Sequence, residues 1–187
     1  MIYGGHVYVH WGRKDCGPGA ELLYAGFAAG GHYQHPGGST DTLCLPEVPV
    51  FSDHVTGNDE DRNLMYSVKY GSSSSAFQKM MGGSGSNLHN GDLPCSACQA
   101  AGRASHVLVP GRSVCMHGWT LEYSGYLMGS AYAHTSGKEL LCVDSDAEVY
   151  TGSGSSVGGS YLYFAEVRSG FGGYTSGNEL PCVICTR

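Results

Sequence analysis

The chain is short of charge, short of strong helix formers and without any long apolar run. Charged residues are 14% of its 187, which rules out a charge-driven disordered chain. Ten are basic and sixteen acidic, for a formal charge of −6, and the basic ones are scattered. A nucleic-acid surface is thereby excluded, because it needs clustered Lys and Arg to displace counterions from phosphates. No stretch reaches the roughly 18 apolar residues of a membrane span. The opening "MIYGGHVYVHWGR" lacks the charged start and apolar stretch of a signal peptide, so either a leader has been removed or the chain is cytosolic. Also missing are His-Glu-x-x-His, Gly-x-Ser-x-Gly and a phosphate-binding glycine loop. The nine histidines therefore have no catalytic frame, and the expectation is a protein that is not an enzyme.

What is plentiful is Gly (30), Tyr (13) and Cys (8). "HVYVHW", "ELLYAGF", "MYSVKY" and "YLYFAEV" set β-branched and aromatic residues between Gly, Ser and Pro punctuation, as strands do. "MMGGSGSN" and "YTGSGSSVGGS" read as loops. One window, "SSAFQKMM" at 74–81, has a Ser start and a Gly stop and predicts a short helix. The expected class is all-β, with long Gly/Ser loops and little helix.

The chain also matches itself. "CGPGAELLYAGFAAGGHYQH" (16–35) aligns without a gap on "CMHGWTLEYSGYLMGSAYAH" (115–134). Tyr24 falls on Tyr123, Gly26 on Gly125, Tyr33 on Tyr132 and His35 on His134, and His6 is matched with His106 ahead of the aligned run. Tyr24 and Tyr123 read as core residues, and the matched histidines as sharing a structural role. "TLCL" answers "LLCV", and "LPCSAC" (93–98) answers the closing "LPCVIC" (180–185). This is a tandem duplication with a unit of about 90 residues, expected as a first β repeat over 1–100 and a second over 101–187, packed as one unit.

Three chemistries compete for the paired Cys-x-x-Cys motifs. Zinc fits poorly, because knuckles of one site usually lie about 15–20 residues apart and each motif here closes its own repeat. A redox pair wants a following helix to stabilise the thiolate, whereas Cys185 is two residues from the end of the sequence. Disulfides fit best. In an extended segment, residues three apart face opposite ways, so Cys95 and Cys98 take different partners within a self-contained set of four. A nested closure is expected, although the sequence leaves other connectivities open. Eight paired cysteines place the protein outside the reducing cytosol, as a secreted protein.

The order Cys-x-x-Gly-x-x-x-x-Tyr-x-Gly (16–26 and 115–125), a mid-repeat Cys, an aromatic strand and a terminal Cys-x-x-Cys resembles the C-terminal non-collagenous domain of type IV collagen, itself a tandem duplication. Through "YVHWGRKDC", "YAGFAAGGHYQHPGG", "LCLPE", "EYSGYLM" and "LCVDSD" the chain is closer still to the terminal domains of invertebrate short-chain, spongin-type collagens. The resemblance implies two intertwined β subdomains, a non-catalytic extracellular role and the nested pairing Cys16–Cys98, Cys44–Cys95, Cys115–Cys185 and Cys142–Cys182. The extra cysteine pair of type IV collagen is absent from each repeat, and no Gly-X-Y tract occurs.

Acidic residues gather in loops. Asp144, Asp146 and Glu148, with Asn178 and Glu179 before the last cysteines, are hard oxygen donors of the kind calcium takes. "FSDHVTGNDEDRN" (51–63) is a second acidic loop. Tyr150, Tyr161 and Tyr174 lie beside Gly/Ser loops, where exposed rings can pack on the apolar face of a sugar. The two repeats differ here, with "CVDSDAE" facing "CLPEVPV". The leading expectation is therefore a secreted, lectin-like carbohydrate-binding domain, calcium-assisted, with one site in the second repeat. The alternative is an extracellular-matrix module that forms homo-oligomers or joins collagen-bearing chains. Either way the partners are extracellular glycans or matrix chains, with no nucleic acid, no membrane span and no organic cofactor.

Overall fold

A computed structural model describes residues 4–53, 57, 61–81, 87–150, 153 and 158–187. Asp59 and Glu60 of the acidic loop at 51–63, and parts of both Gly/Ser loops, lie outside these residues. The fold is all-β. Ten strands and one short helix run β1 (His6–Trp11), β2 (Ala20–Gly30), β3 (Leu43–Pro46), β4 (Tyr66–Tyr70), α1 (Ser75–Met81), β5 (Pro94–Ala100), β6 (His106–Pro110), β7 (Thr120–Gly129), β8 (Leu141–Asp144), β9 (Ser160–Phe164) and β10 (Pro181–Thr186). Helix α1 starts where the sequence predicts, with Ser74 Oγ accepting the Phe77 N–H at 3.1 Å as an N-cap. It buries Phe77 and Met81.

The duplication is visible in the pairing. In the first repeat β5 lies between β1 and β2, and β2 also pairs with β3 and β4. In the second, β10 lies between β6 and β7, and β7 also pairs with β8 and β9. A bulge interrupts β2–β5 at Leu23 and β7–β10 at Glu122, which is the same aligned position. Each long strand is thereby twisted at one point over its terminal Cys-x-x-Cys.

Four disulfides join Cys16–Cys98, Cys44–Cys95, Cys115–Cys185 and Cys142–Cys182, the nested arrangement in both repeats. Each Cys-x-x-Cys spends one cysteine on the loop before the long strand and the other on the short strand beyond it. Gly26 and Gly125 make the second bridge feasible. A Cβ at either position would overlap the carbonyl oxygen of Leu45 on β3 or Val143 on β8.

The sheet order β6-β10-β7-β8-β1-β5-β2-β4-β9 interleaves the repeats. β8 meets β1 in a short parallel contact at Trp11 and Val143, and β4 runs parallel to β9 from Val68↔Ser160 to Tyr70↔Leu162. The main core draws on both repeats, with Val68, Tyr70, Phe77 and Leu93 packed against Met128, Val143 and Leu162. The strand register also revises one detail of the alignment. Val7 stands opposite Gln99, and His106 opposite Thr186, so the structural counterpart of His106 is Val7 rather than His6. The two imidazoles stack on each other at 4.2 Å instead.

Crowding at Gly125 gives a first prediction. Gly125→Ala pushes β8 away from β7 while β1 holds its other edge, and should lower stability by about 1–3 kcal/mol, the usual cost of overpacking. Gly26→Ala should cost less, because β3 has no second neighbour to hold it in place. Urea unfolding of the two variants measures the difference.

Candidate functional site

The junction between the repeats is polar, and its polar side chains are largely buried. Tyr8 Oη donates to Glu122 at 2.9 Å, Arg103 Nη2 lies 2.8 Å from the same carboxylate, and Thr186 Oγ1 donates to it as well. Burial first, then the bond to Glu122, pushes the Tyr8 phenol well above its ordinary pKa. His10 Nε2 lies 2.6 Å from Asp144 Oδ2, and its ring stacks on Tyr123 at 4.0 Å. Tyr123 Oη donates to the carbonyls of Val9 and Cys142. Through these contacts β1 of the first repeat is locked onto β8 of the second.

Each of these positions has an aligned counterpart that meets nothing equivalent within the chain. Among the described residues β3, the counterpart of β8, pairs only with β2, and β6, the counterpart of β1, pairs only with β10. Tyr24 makes the same bond to Cys44 O that Tyr123 makes to Cys142 O, but is 38% exposed where Tyr123 is 5% exposed. Leu45 is 42% exposed where Val143 is fully buried. The expectation that Tyr24 is a core residue fails because its covering strand is absent. Sequence patterning marks which face is apolar but not whether a neighbour arrives to cover it.

The residue types change together. Tyr8 and Glu122 have Val107 and Leu23 as counterparts, His10 and Asp144 have Val109 and Pro46, and Trp11 and Val143 have Pro110 and Leu45. Where the internal junction joins polar to polar, the two free edges carry apolar on both sides. Beyond β3 the apolar character continues, with Val48 and Val50 standing where the second repeat has Asp146 and Glu148, and Val50 95% exposed. A similar vacancy occurs at the aromatic cluster. Tyr33 packs on His134 at 4.9 Å and on Tyr161 at 5.3 Å, whereas its counterpart Tyr132 is fully exposed beside a groove of about 760 Å³ lined by Tyr163, Phe164, Glu166 and Arg168.

The three expected calcium donors of the acidic loop after β8 are engaged elsewhere. Arg13 Nη1 lies 2.6 Å from Asp146 and Arg13 Nε lies 3.0 Å from Glu148, with Lys14 Nζ 3.6 Å from Glu148 and His10 on Asp144. At Asn178 and Glu179 the contacts are of the backbone: Asn178 O accepts the Val167 N–H, and Glu179 pairs with Glu166 in an isolated antiparallel β-bridge. Among the described residues no group of three or more His, Cys, Asp or Glu side chains is placed to hold a metal. Nor do the three expected ligand-binding tyrosines form one surface. Tyr150 stacks on Phe27 at 3.9 Å and donates to Gly26 O and Glu47, Tyr161 packs on Tyr33, and Tyr174 pairs with Phe171 at 5.4 Å.

The sequence did carry a signal for the free edge, the contrast of "CLPEVPV" with "CVDSDAE". Its information lies in the exposed valines rather than in the carboxylates. No family model matches the chain.

Two outcomes follow from this geometry. Glu122→Ala leaves the Arg103 guanidinium without its carboxylate and should cost about 3–5 kcal/mol in denaturant unfolding, whereas Leu23→Ala at the exposed counterpart should stay within about 0.5 kcal/mol in the monomer. Because Arg13, Lys14 and His10 occupy the acidic loop, calcium and chelator should leave the melting temperature unchanged. A rise with calcium in differential scanning calorimetry would show that the carboxylates leave their cations for the metal.

Proposed function

We propose that the chain is an extracellular assembly module that associates head to tail with further copies of itself, the β6 edge of one copy seating on the β3 edge of the next. The observation that supports this best is the paired change from polar to apolar on β3 and β6. Each edge has the residue types that would suit the other in the arrangement β1 and β8 adopt inside the chain. In that arrangement Val109 would cover Tyr24 as His10 covers Tyr123, Val107 would meet Leu23, and the Tyr24 hydroxyl would find Leu108 O. The exposed Tyr132 and its groove add to the same side of the second repeat.

Chemistry supports the same reading. Fully burying a Val or Leu side chain is worth about 1.5–3 kcal/mol, and several stand on the two edges. A bare apolar edge strand is an aggregation hazard that proteins normally blunt with charge, so a pair of complementary bare edges suits a partner. The contact joins two different surfaces, so it generates a ring if the rotation closes and a filament if it does not. The four disulfides fit an oxidising, extracellular setting, and among the described residues no helix is long and apolar enough to cross a membrane. The resemblance to collagen terminal domains points the same way. Calcium-assisted carbohydrate binding, the other reading of the sequence, has less support because Asp144, Asp146 and Glu148 already have partners.

The test uses one blocked edge per chain. Leu45→Glu on β3 and Val109→Glu on β6 should each abolish the oligomer that the unaltered chain forms, leaving a folded monomer in light scattering. Mixing the two variants should restore a 1:1 dimer through the one intact pair of edges, and only that dimer. An unaltered chain that stays monomeric across the accessible concentration range, or a mixture that fails to pair, overturns the proposal.

A further inference from the structure

A tight hairpin stands out beyond β9. Phe171 and Tyr174 exchange two backbone hydrogen bonds, at 3.1 and 2.7 Å, around Gly172 and Gly173. Both glycines have positive φ, as a two-residue turn that matches strand twist requires. Residues 168–178 are all exposed, and Phe171 is 65% exposed. Ser176 Oγ donates to Arg168 O at 2.7 Å and braces the base. Among the described residues the first repeat shows no such device, and α1 with its buried Phe77 and Met81 lies in the connection between β4 and β5.

The hairpin lies at the end of the β6 edge. The Tyr174 ring covers Gly111 so closely that a Cβ there would overlap it. Gly111 is the counterpart of Gly12, and both donate to the carbonyl of the proline opening the last strand of their repeat, Pro181 and Pro94. Inside the chain, Gly12 O accepts the Glu148 N–H at 2.9 Å. The counterpart of Glu148 is Val50. A head-to-tail contact built like the internal one therefore brings the next copy's Val50 N–H to Gly111 O, beside the ring of Tyr174.

We infer that the Phe171–Tyr174 hairpin is a clasp for the Val48–Val50 segment of the next copy. This rests on the head-to-tail reading and adds a contact that the internal junction does not contain. The clasp accounts for two features at once: apolar residues where the second repeat has Asp146 and Glu148, and aromatic rings held in solvent by a stiff turn. Rigid aromatic anchors meeting a small apolar cluster are the usual form of an interface hot spot. The clasp also makes the contact between copies directional, since among the described residues it is found in the second repeat alone.

The blocked-edge pair supplies the experiment. In the 1:1 dimer, the Leu45→Glu chain contributes β6 and its hairpin, and the Val109→Glu chain contributes β3 and Val50. Phe171→Ser placed in the Leu45→Glu chain should weaken the dimer about tenfold or more, in the range of a hot-spot truncation. The same change in the Val109→Glu chain should have no effect. Val50→Ser should show the reverse dependence, and the two changes should be non-additive when combined across the interface. Benzoylphenylalanine at 171 should cross-link to the Val48–Val50 peptide of the isotopically distinct copy. If Phe171→Ser leaves dimer affinity unchanged in both chains, or the cross-link maps elsewhere, the clasp is wrong while assembly stands. If the mixture forms no dimer, both fall.

Discussion

The carboxylate of Glu122 is the constraint on which the two-repeat arrangement depends. Its side chain is 1% exposed, and a charge so deeply buried is tolerated only with its partners in place. Those partners come from three parts of the chain: Tyr8 on β1, Arg103 in the connection between the repeats, and Thr186 on β10. No one of them satisfies the group alone. The first repeat can therefore seat on the second in a single register. The bulge at Glu122 turns this side chain toward the junction. At the same bulge in the first repeat stands Leu23, which makes no such demand. The change from Glu122 to Leu23 is one of several that set the internal junction apart from the β3 edge.

What was legible in the sequence is what each repeat does by itself. Four cysteines per unit, strands punctuated by Gly and Pro, and a Ser-capped window at 74–81 are local or repeat-internal signals. The described residues form ten strands, one short helix and the nested disulfides. The side chains that decide the surface were not legible in the same way. Tyr24 and Tyr123 are the same residue in the same frame, and their different burial depends on which strand of the other repeat arrives beside them. His6 and His106 look equivalent only because a one-residue slip hides in a short match. In a strand, one residue is the difference between the two faces.

The acidic loop illustrates a second limit. Asp144, Asp146 and Glu148 have the composition of a calcium loop, but Arg13, Lys14 and His10 reach them from more than a hundred residues away. A charge cluster read without its long-range neighbours looks like an unmet demand for a cation. Arg13 is ordered between Asp15, Asp146 and Glu148, and these ion pairs tie the end of β1 to the loop after β8. Their value is positional rather than energetic, since exposed pairs contribute little to stability. In the first repeat the same loop positions hold Val48 and Val50, so the tie is replaced by apolar surface.

That replacement has a physical logic. A junction inside one chain forms between segments already tethered, so it need not supply affinity, only a unique register. Buried polar pairs serve that end well, because they gain little net stability but exclude alternatives. Association between separate molecules loses translational and rotational freedom worth about 4–15 kcal/mol, and polar pairs that roughly break even cannot offset it. Apolar burial can. The proposed head-to-tail contact accounts for this divergence: Tyr8–Glu122 and His10–Asp144 stand where the contact is covalently linked, and Val107 would face Leu23 and Val109 would face Pro46 where it is not. The loss of specificity that comes with apolar edges has to be recovered by shape, and in the proposed assembly the rigid hairpin of Phe171 and Tyr174 would supply shape of that kind.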